Sequence, residues 1–136
     1  MKIKYMPFVI LPLTVLTMQA DLILNHKTEV EELYFESQRV RAKYGIAKQT
    51  LDKECCEQAQ KWAEYMASIN QMKHGGGEQI IARGYSSPKF VLRGWLNSPP
   101  HQRWIYCGRN RVGFGFAKSK SGMTYWAGVY KKKKEN

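Results

Sequence analysis

His74, Glu78 and His101 are the side chains whose types and spacing could do chemistry in this chain. The first two bracket Gly75-Gly76-Gly77, and the third closes the segment Trp95-Leu96-Asn97-Ser98-Pro99-Pro100-His101. Three consecutive glycines add nothing to packing and raise the entropy cost of folding, so their use is to let the backbone turn sharply. Such a turn points His74 and Glu78 into one space. Two imidazoles and one carboxylate leave one position of a tetrahedral zinc shell open, the arrangement of catalytic zinc sites, where a bound water is acidified. The same three groups can instead form a metal-free polar network that braces the glycine loop. Spacing alone leaves both readings open. The histidines lie in separate segments, so their meeting depends on the fold.

Other constellations are weaker. A Ser98–His101–Glu78 triad would need a free hydroxyl, but Ser98 precedes two prolines and reads as a helix cap, which occupies that group. No strained elbow presents it as a nucleophile. A Cys107–His101 thiol pair suffers from the oxidising compartment inferred below. His26 reads as an exposed bystander. Cys55, Cys56 and Cys107 allow one disulfide and one leftover thiol, or three small buried residues that never pair. Adjacent cysteines on a helix project about 100° apart, so at most one of Cys55 and Cys56 can face Cys107.

The elements that must position these residues follow from pattern. Met1-Lys2-Ile3-Lys4, an apolar run from Tyr5 to Met18 and Gln19-Ala20 read as a secretory signal peptide over 1–20. The run is too short and too interrupted by Pro7 and Pro12 for a stable membrane span. Export places the protein outside the cell or in the periplasm. Thr28 and Glu31 form a capping box for a first helix, with Val30, Leu33, Tyr34, Ser37, Val40 and Tyr44 on one face and Gly45 as the stop. A second helix begins near Thr50, repeats Leu51, Cys55, Ala59, Trp62, Ala63 and Met66, and ends by His74. Gln79 to Arg83 is a short strand. Ser87-Pro88 and Ser98-Pro99 each read as N-cap and first helical position, for a helix through Trp95 and a short one carrying His101. Val112, Phe114 and Phe116 alternate with Gly113, Gly115 and Ala117, so one face of that strand is nearly bare and something must pack closely against it. Lys118 to Gly122 makes a hairpin loop to a partner strand, Met123 to Tyr130. Helices first and a hairpin last give an α+β fold around one core, spanning 21–130, with 131–136 a basic C-terminal tail.

The net charge of +11 becomes +9 once Lys2 and Lys4 are removed with the leader. Such a surface favours anionic partners such as phospholipid head groups or acidic cell-wall polymers. Nucleic acid is disfavoured, because no module interleaves basic residues with exposed aromatics. Trp95, Trp104, Tyr106, Tyr125, Trp126 and Tyr130 crowd the C-terminal half beside Arg103, Arg109 and Arg111. Most belong to the core; a few at a cleft rim could hold an amphipathic ligand with its anionic end on arginine.

In order along the chain, Arg39, Gly45 and Leu51, the helix with Ala59, Trp62, Ala63 and Met66, His74 with Gly77-Glu78, Trp95 with Ser98 and His101, Ile105, Val112-Gly113-Phe114-Gly115, Tyr125-Trp126 and Val129-Tyr130 resemble the CAP (SCP) domain family, in its short bacterial form. The resemblance implies a three-layer α-β-α sandwich with a central antiparallel sheet and a cleft of histidines and acidic residues in which animal relatives hold divalent metals. His74, Glu78 and His101 match three of that cleft's four positions, and Ser98 stands where the animal pattern has a glutamate. The expected function is a secreted, monomeric binding module for an amphipathic or anionic ligand, using that cleft with Ser98, Trp95 and Arg103. The alternative is a metal-dependent hydrolase of an extracellular or cell-wall polymer, with His74, Glu78 and His101 as catalytic candidates and as ligands of a divalent metal such as zinc.

Overall fold

The structure is a computed structural model that describes residues 12–135, without the side chains of 19 and 21–26. The start of the expected leader and the His26 side chain therefore lie outside the described residues. The first helix, α1 (Leu13–Lys43), is longer than the sequence suggests. No glycine or proline interrupts it, so helix propagates through the 20/21 boundary and through Thr28, which lies inside α1 and does not begin it. Its end is as expected: Gly45 at φ +67° follows the C-cap Tyr44. The buried stripe is Leu33, Tyr34, Ser37, Gln38 and Arg41, while Tyr44 is exposed.

Thr50–Leu51, expected to open the second helix, forms a short strand instead, β1. Helix α2 (Lys53–Ile69) starts after it, with the Asp52 carboxylate accepting from the Cys55 amide at 2.9 Å as its N-cap. It ends at Asn70 in the left-handed region (φ 49°), so His74 lies in the following loop, beyond the helix terminus. Strand β2 (Gln79–Arg83), helix α3 (Pro88–Leu96, capped by Ser87), helix α4 (Pro99–Ile105), and the hairpin β3 (Arg111–Lys118) and β4 (Thr124–Lys131) follow, close to their expected bounds.

The sheet order is β1-β3-β4-β2. The β3/β4 and β4/β2 pairs are antiparallel as expected. The added edge strand makes the sheet mixed, because β1 pairs in parallel with Arg111 and Val112 of β3. Helix α2, strand β2 and helices α3 and α4 lie between these two strands, ample chain for the crossover that parallel pairing requires. One sheet face (Ile80, Ala82, Val112, Phe114, Phe116, Trp126, Tyr130) packs on α1, α3 and α4. The other (Ile81, Ala117, Tyr125, Ala127, Val129) packs on Cys55, Ala59, Ala63, Met66 and Ala67 of α2. Three layers result. The bare strand face expected from the Gly113/Gly115 alternation meets α2 at backbone contact. A Cβ on Gly113 would fall 2.1 Å from the Cys56 amide nitrogen, and one on Gly115 would fall 2.3 Å from the Ala59 carbonyl carbon.

This layering keeps the cysteines apart. Cys55 lies between α2 and the sheet, whereas Cys107 packs at the edge of the opposite layer. All three thiols are free. Burial pushes the Cys55 thiol up to about 12 and also raises Cys56 and Cys107. None is a ready thiolate, which removes the physical basis of a Cys107–His101 thiol pair. Among the described residues no helix is long and apolar enough to cross a membrane.

Candidate functional site

The glycine loop hangs between the end of α2 and β2. Gly76 and Gly77 take φ +84° and +77°, the left-handed turn that their lack of Cβ permits. Gly75 lies flat on Trp62, where a Cβ would be 2.8 Å from the indole, and its amide donates to Gln79 Oε1 at 3.0 Å. The Trp62 indole N–H donates to the Lys73 carbonyl at 2.8 Å. His74 is exposed on this loop. Glu78 is anchored at the sheet, its carbonyl accepting from the Tyr130 amide at 3.0 Å.

The three expected site residues have different partners. The Glu78 carboxylate forms an ion pair with Arg109, both side chains being partly exposed. His101 pairs through Nδ1 with Ser98 Oγ at 2.8 Å. Ser98 stands at the N-cap of α4 but makes no side-chain cap bond, so its hydroxyl serves the histidine and not the helix, contrary to the sequence reading. His74 acts on His101 through charge: burial first, and then the nearby His74, lower the His101 pKa below its ordinary 6.5. Among the described residues no group of three or more His, Cys, Asp and Glu side chains is placed to hold a metal ion. As they stand, Glu78 is engaged by Arg109 and His101 by Ser98.

Because folding lowers this pKa, the unfolded chain takes up the proton more readily. The contribution of neutral His101 to stability is full above about 6.5 and is lost as pH falls towards the folded value. In a proton NMR titration, His101 should titrate below 6.5, and His74→Ala should move its midpoint part of the way back. A midpoint unmoved by that substitution would show the two imidazoles to be electrostatically independent.

Of the binding residues, Trp95 belongs to the core. It is 2% exposed, its indole N–H donates to the Ile81 carbonyl at 3.1 Å, and it stacks on Phe114. Its place at the rim falls to Trp104, one helix on, which is half-buried and stacked on Tyr130 at a centroid distance of 5.8 Å. Arg103 is exposed as expected. With Trp104, Cys107, Gly108, Arg109, Asn110, Lys132 and Lys133 it lines a groove of about 700 Å³. Lys132 and Lys133 belong to the basic tail expected from the sequence. That tail is partly tied down, since Lys131 belongs to β4 and pairs with Glu54 at 3.1 Å, and Lys134 reaches the same carboxylate at 3.3 Å. Four cations from α4, the turn after it and the segment following β4 therefore line one groove whose walls hold no carboxylate. Sequence spacing could not show this, because 103–109 and 132–133 meet only when β4 returns beside the start of β3.

Buried Arg41 holds this corner together. Its guanidinium donates to the carbonyls of Ala47 (2.7 and 3.1 Å), Ile105 (2.9 Å) and Cys107 (2.7 Å), joining the end of α1 to the turn beneath the groove. Charge pattern alone does not single out one arginine as interior; the convergence of three carbonyls explains it.

Residues 38–130 match the cysteine-rich secretory protein (CAP) family. Among solved structures, an outer surface protein of Borrelia burgdorferi superposes with a TM-score of 0.70 at 20% identity, over 76% of this chain and 92% of that one. An extracellular protein of Bacillus anthracis containing an SCP domain gives 0.64 at 16% identity, over 78% of this chain and 41% of that one. A cysteine-rich secretory protein of Staphylococcus aureus gives 0.54 at 10% identity, over 78% and 39%. No curated protein sequence matches. The family match spans the α2 layer, the glycine loop, the His101 helix and the hairpin together, and the chain belongs to the cysteine-rich secretory protein family.

Proposed function

We propose that the protein is an exported binding module whose ligand is anionic or amphipathic and lies in the groove of Arg103, Trp104, Arg109, Lys132 and Lys133. The observation that carries this reading is that convergence of cations around an aromatic with no acid in the walls. Arg109 is already balanced by Glu78, which leaves Arg103, Lys132 and Lys133 to meet the ligand's negative charge. Trp104 supplies an apolar surface beside them, so an anionic head with an apolar body matches the groove on both counts. His101 lies one turn before Trp104 on α4, and its partner Ser98 stands at the N-cap of the same helix. Export is supported by the basic start and apolar run of 1–20, and by similarity to an extracellular and an outer-surface protein.

Dihexanoylphosphatidylglycerol, a short anionic lipid that stays monomeric, is a direct probe by calorimetry, with dihexanoylphosphatidylcholine as the neutral control. Replacing Arg103, Lys132 and Lys133 together by alanine should weaken the anionic lipid by up to about a hundredfold, since each cation near an anionic surface is worth roughly 1 kcal/mol. The effect should shrink in high salt. Equal affinity in wild type and the triple variant, or equal affinity for both lipids, would remove the groove from the function.

A divalent ion such as zinc at His74, Glu78 and His101 is a separate proposal. It requires Glu78 to leave Arg109, as would metal-dependent hydrolysis. Arg109→Ala should then bind zinc more tightly than wild type, and His74→Ala less tightly. Negligible heats of zinc binding in all three proteins would end it.

A further inference from the structure

A second groove, of about 500 Å³, is bordered by the glycine loop. Its walls are Gln58, Lys61 and Trp62 of α2, the backbone of Gly75 to Gly77, Glu78, Gln79, and Val129 to Lys131 of β4. Its chemistry differs from that of the basic groove. Gln58 and Lys61 have no hydrogen-bond or ion-pair partner among the described residues. Gln79 spends its amide oxygen on Gly75 and keeps its NH2 group for a ligand. Glu78, its carboxylate paired with Arg109, completes the lining. Trp62 adds an apolar wall, its ring braced by Tyr65 at a centroid distance of 4.9 Å.

We propose that this groove binds a neutral, hydroxyl-rich saccharide of one or two pyranose units. Three ligand classes can be weighed against its walls. An anion would meet a single unpaired cation, Lys61, since Lys131 is held by Glu54, and would leave the amides of Gln58 and Gln79 poorly matched. An apolar chain would strip water from Gln58, Lys61 and Glu78 and return no hydrogen bonds, which is costly for each group. A sugar offers hydroxyls that both donate and accept, matching the mixed amide, ammonium and carboxylate set, and it turns C–H faces to an aromatic wall. The volume suits such a ligand. The left-handed turns at Gly76 and Gly77 keep side chains out of the groove, so their backbone can approach the ring closely.

The test is an amide NMR titration of the full chain with three neutral disaccharides: N,N′-diacetylchitobiose, cellobiose and maltose. At least one should give saturable shifts at Gly76, Gly77 and the Trp62 indole N–H, with a dissociation constant of about 1 mM. Gln58→Ala, an exposed position whose change leaves the core intact, should weaken that binding about fivefold, the worth of one hydrogen bond. Arg103→Ala should leave it unchanged. The proposal is overturned by the absence of saturable shifts with all three sugars. It is equally overturned by shifts confined to the Arg103, Trp104 and Gly108 groove, or by binding that survives unaltered in both Gln58→Ala and Lys61→Ala. Phosphatidylglycerol binding can fail or succeed independently of these outcomes, so the two grooves are judged separately.

Discussion

Gly115→Ala is expected to destabilise the fold by about 3 kcal/mol, near the upper end of what a single inserted methyl costs in a packed interior. The new Cβ would lie 2.3 Å from the Ala59 carbonyl carbon and 2.4 Å from both the Ala59 oxygen and the Gln60 nitrogen. These are main-chain atoms in the middle of α2, so no rotamer change relieves the contact and the whole helix must withdraw from β3. Withdrawal opens gaps around Ala59, Ala63 and Met66, all fully buried. The melting temperature should fall by roughly 10 °C. Gly108→Ala is the control. It also lies outside the left-handed region, but a Cβ there meets nothing within 4 Å, and its change should stay within about 0.5 kcal/mol. Similar losses at the two positions in thermal and urea unfolding would refute close α2–β3 contact.

Arg41→Met should cost about 3 kcal/mol and disturb the basic groove as well as the stability. Methionine fills much of the volume but leaves the carbonyls of Ala47, Ile105 and Cys107 without their donors, the Ile105 carbonyl being buried. Arg41→Lys should recover only part of the loss, because one ammonium cannot reproduce a planar fork reaching three carbonyls in two segments. In amide NMR spectra the largest shifts should fall at 45–49 and 105–109. A Met variant with wild-type stability, or with shifts confined to α1, would show the arginine to be an incidental passenger.

Periodicity was most informative where one physical requirement acted alone. The alternation of large residues with Gly113, Gly115 and Ala117 has no use except close approach to another element, and the structure supplies α2 there. The Ser87-Pro88 start and the Gly45 stop were legible for the same reason: each meets a backbone demand that few residues satisfy. Thr28-Glu31 misled because a capping pattern marks a helix start only when the preceding chain is not helical, and nothing from Leu13 onward breaks the helix. Thr50 and Leu51 were drawn into the helical repeat because a two-residue strand has no period; only pairing with Arg111 and Val112 makes it one. At the site, the glycine turn and the segments carrying the histidines were readable. The partners were not. Glu78 pairs with Arg109, thirty-one positions away, and Ser98 turns to His101, choices made by tertiary proximity.

The contact between Gly115 and the main chain of α2 also limits how this domain can diverge. A clash between two side chains is open to repair by shrinking one of them. Here the obstructing atoms belong to the peptide groups of Ala59 and Gln60, which every residue carries, so no second-site suppressor at 59 or 60 can make room. The spacing between helix and strand is thus a fixed ruler, and variation among descendants of this chain must be absorbed at the groove walls and the loop.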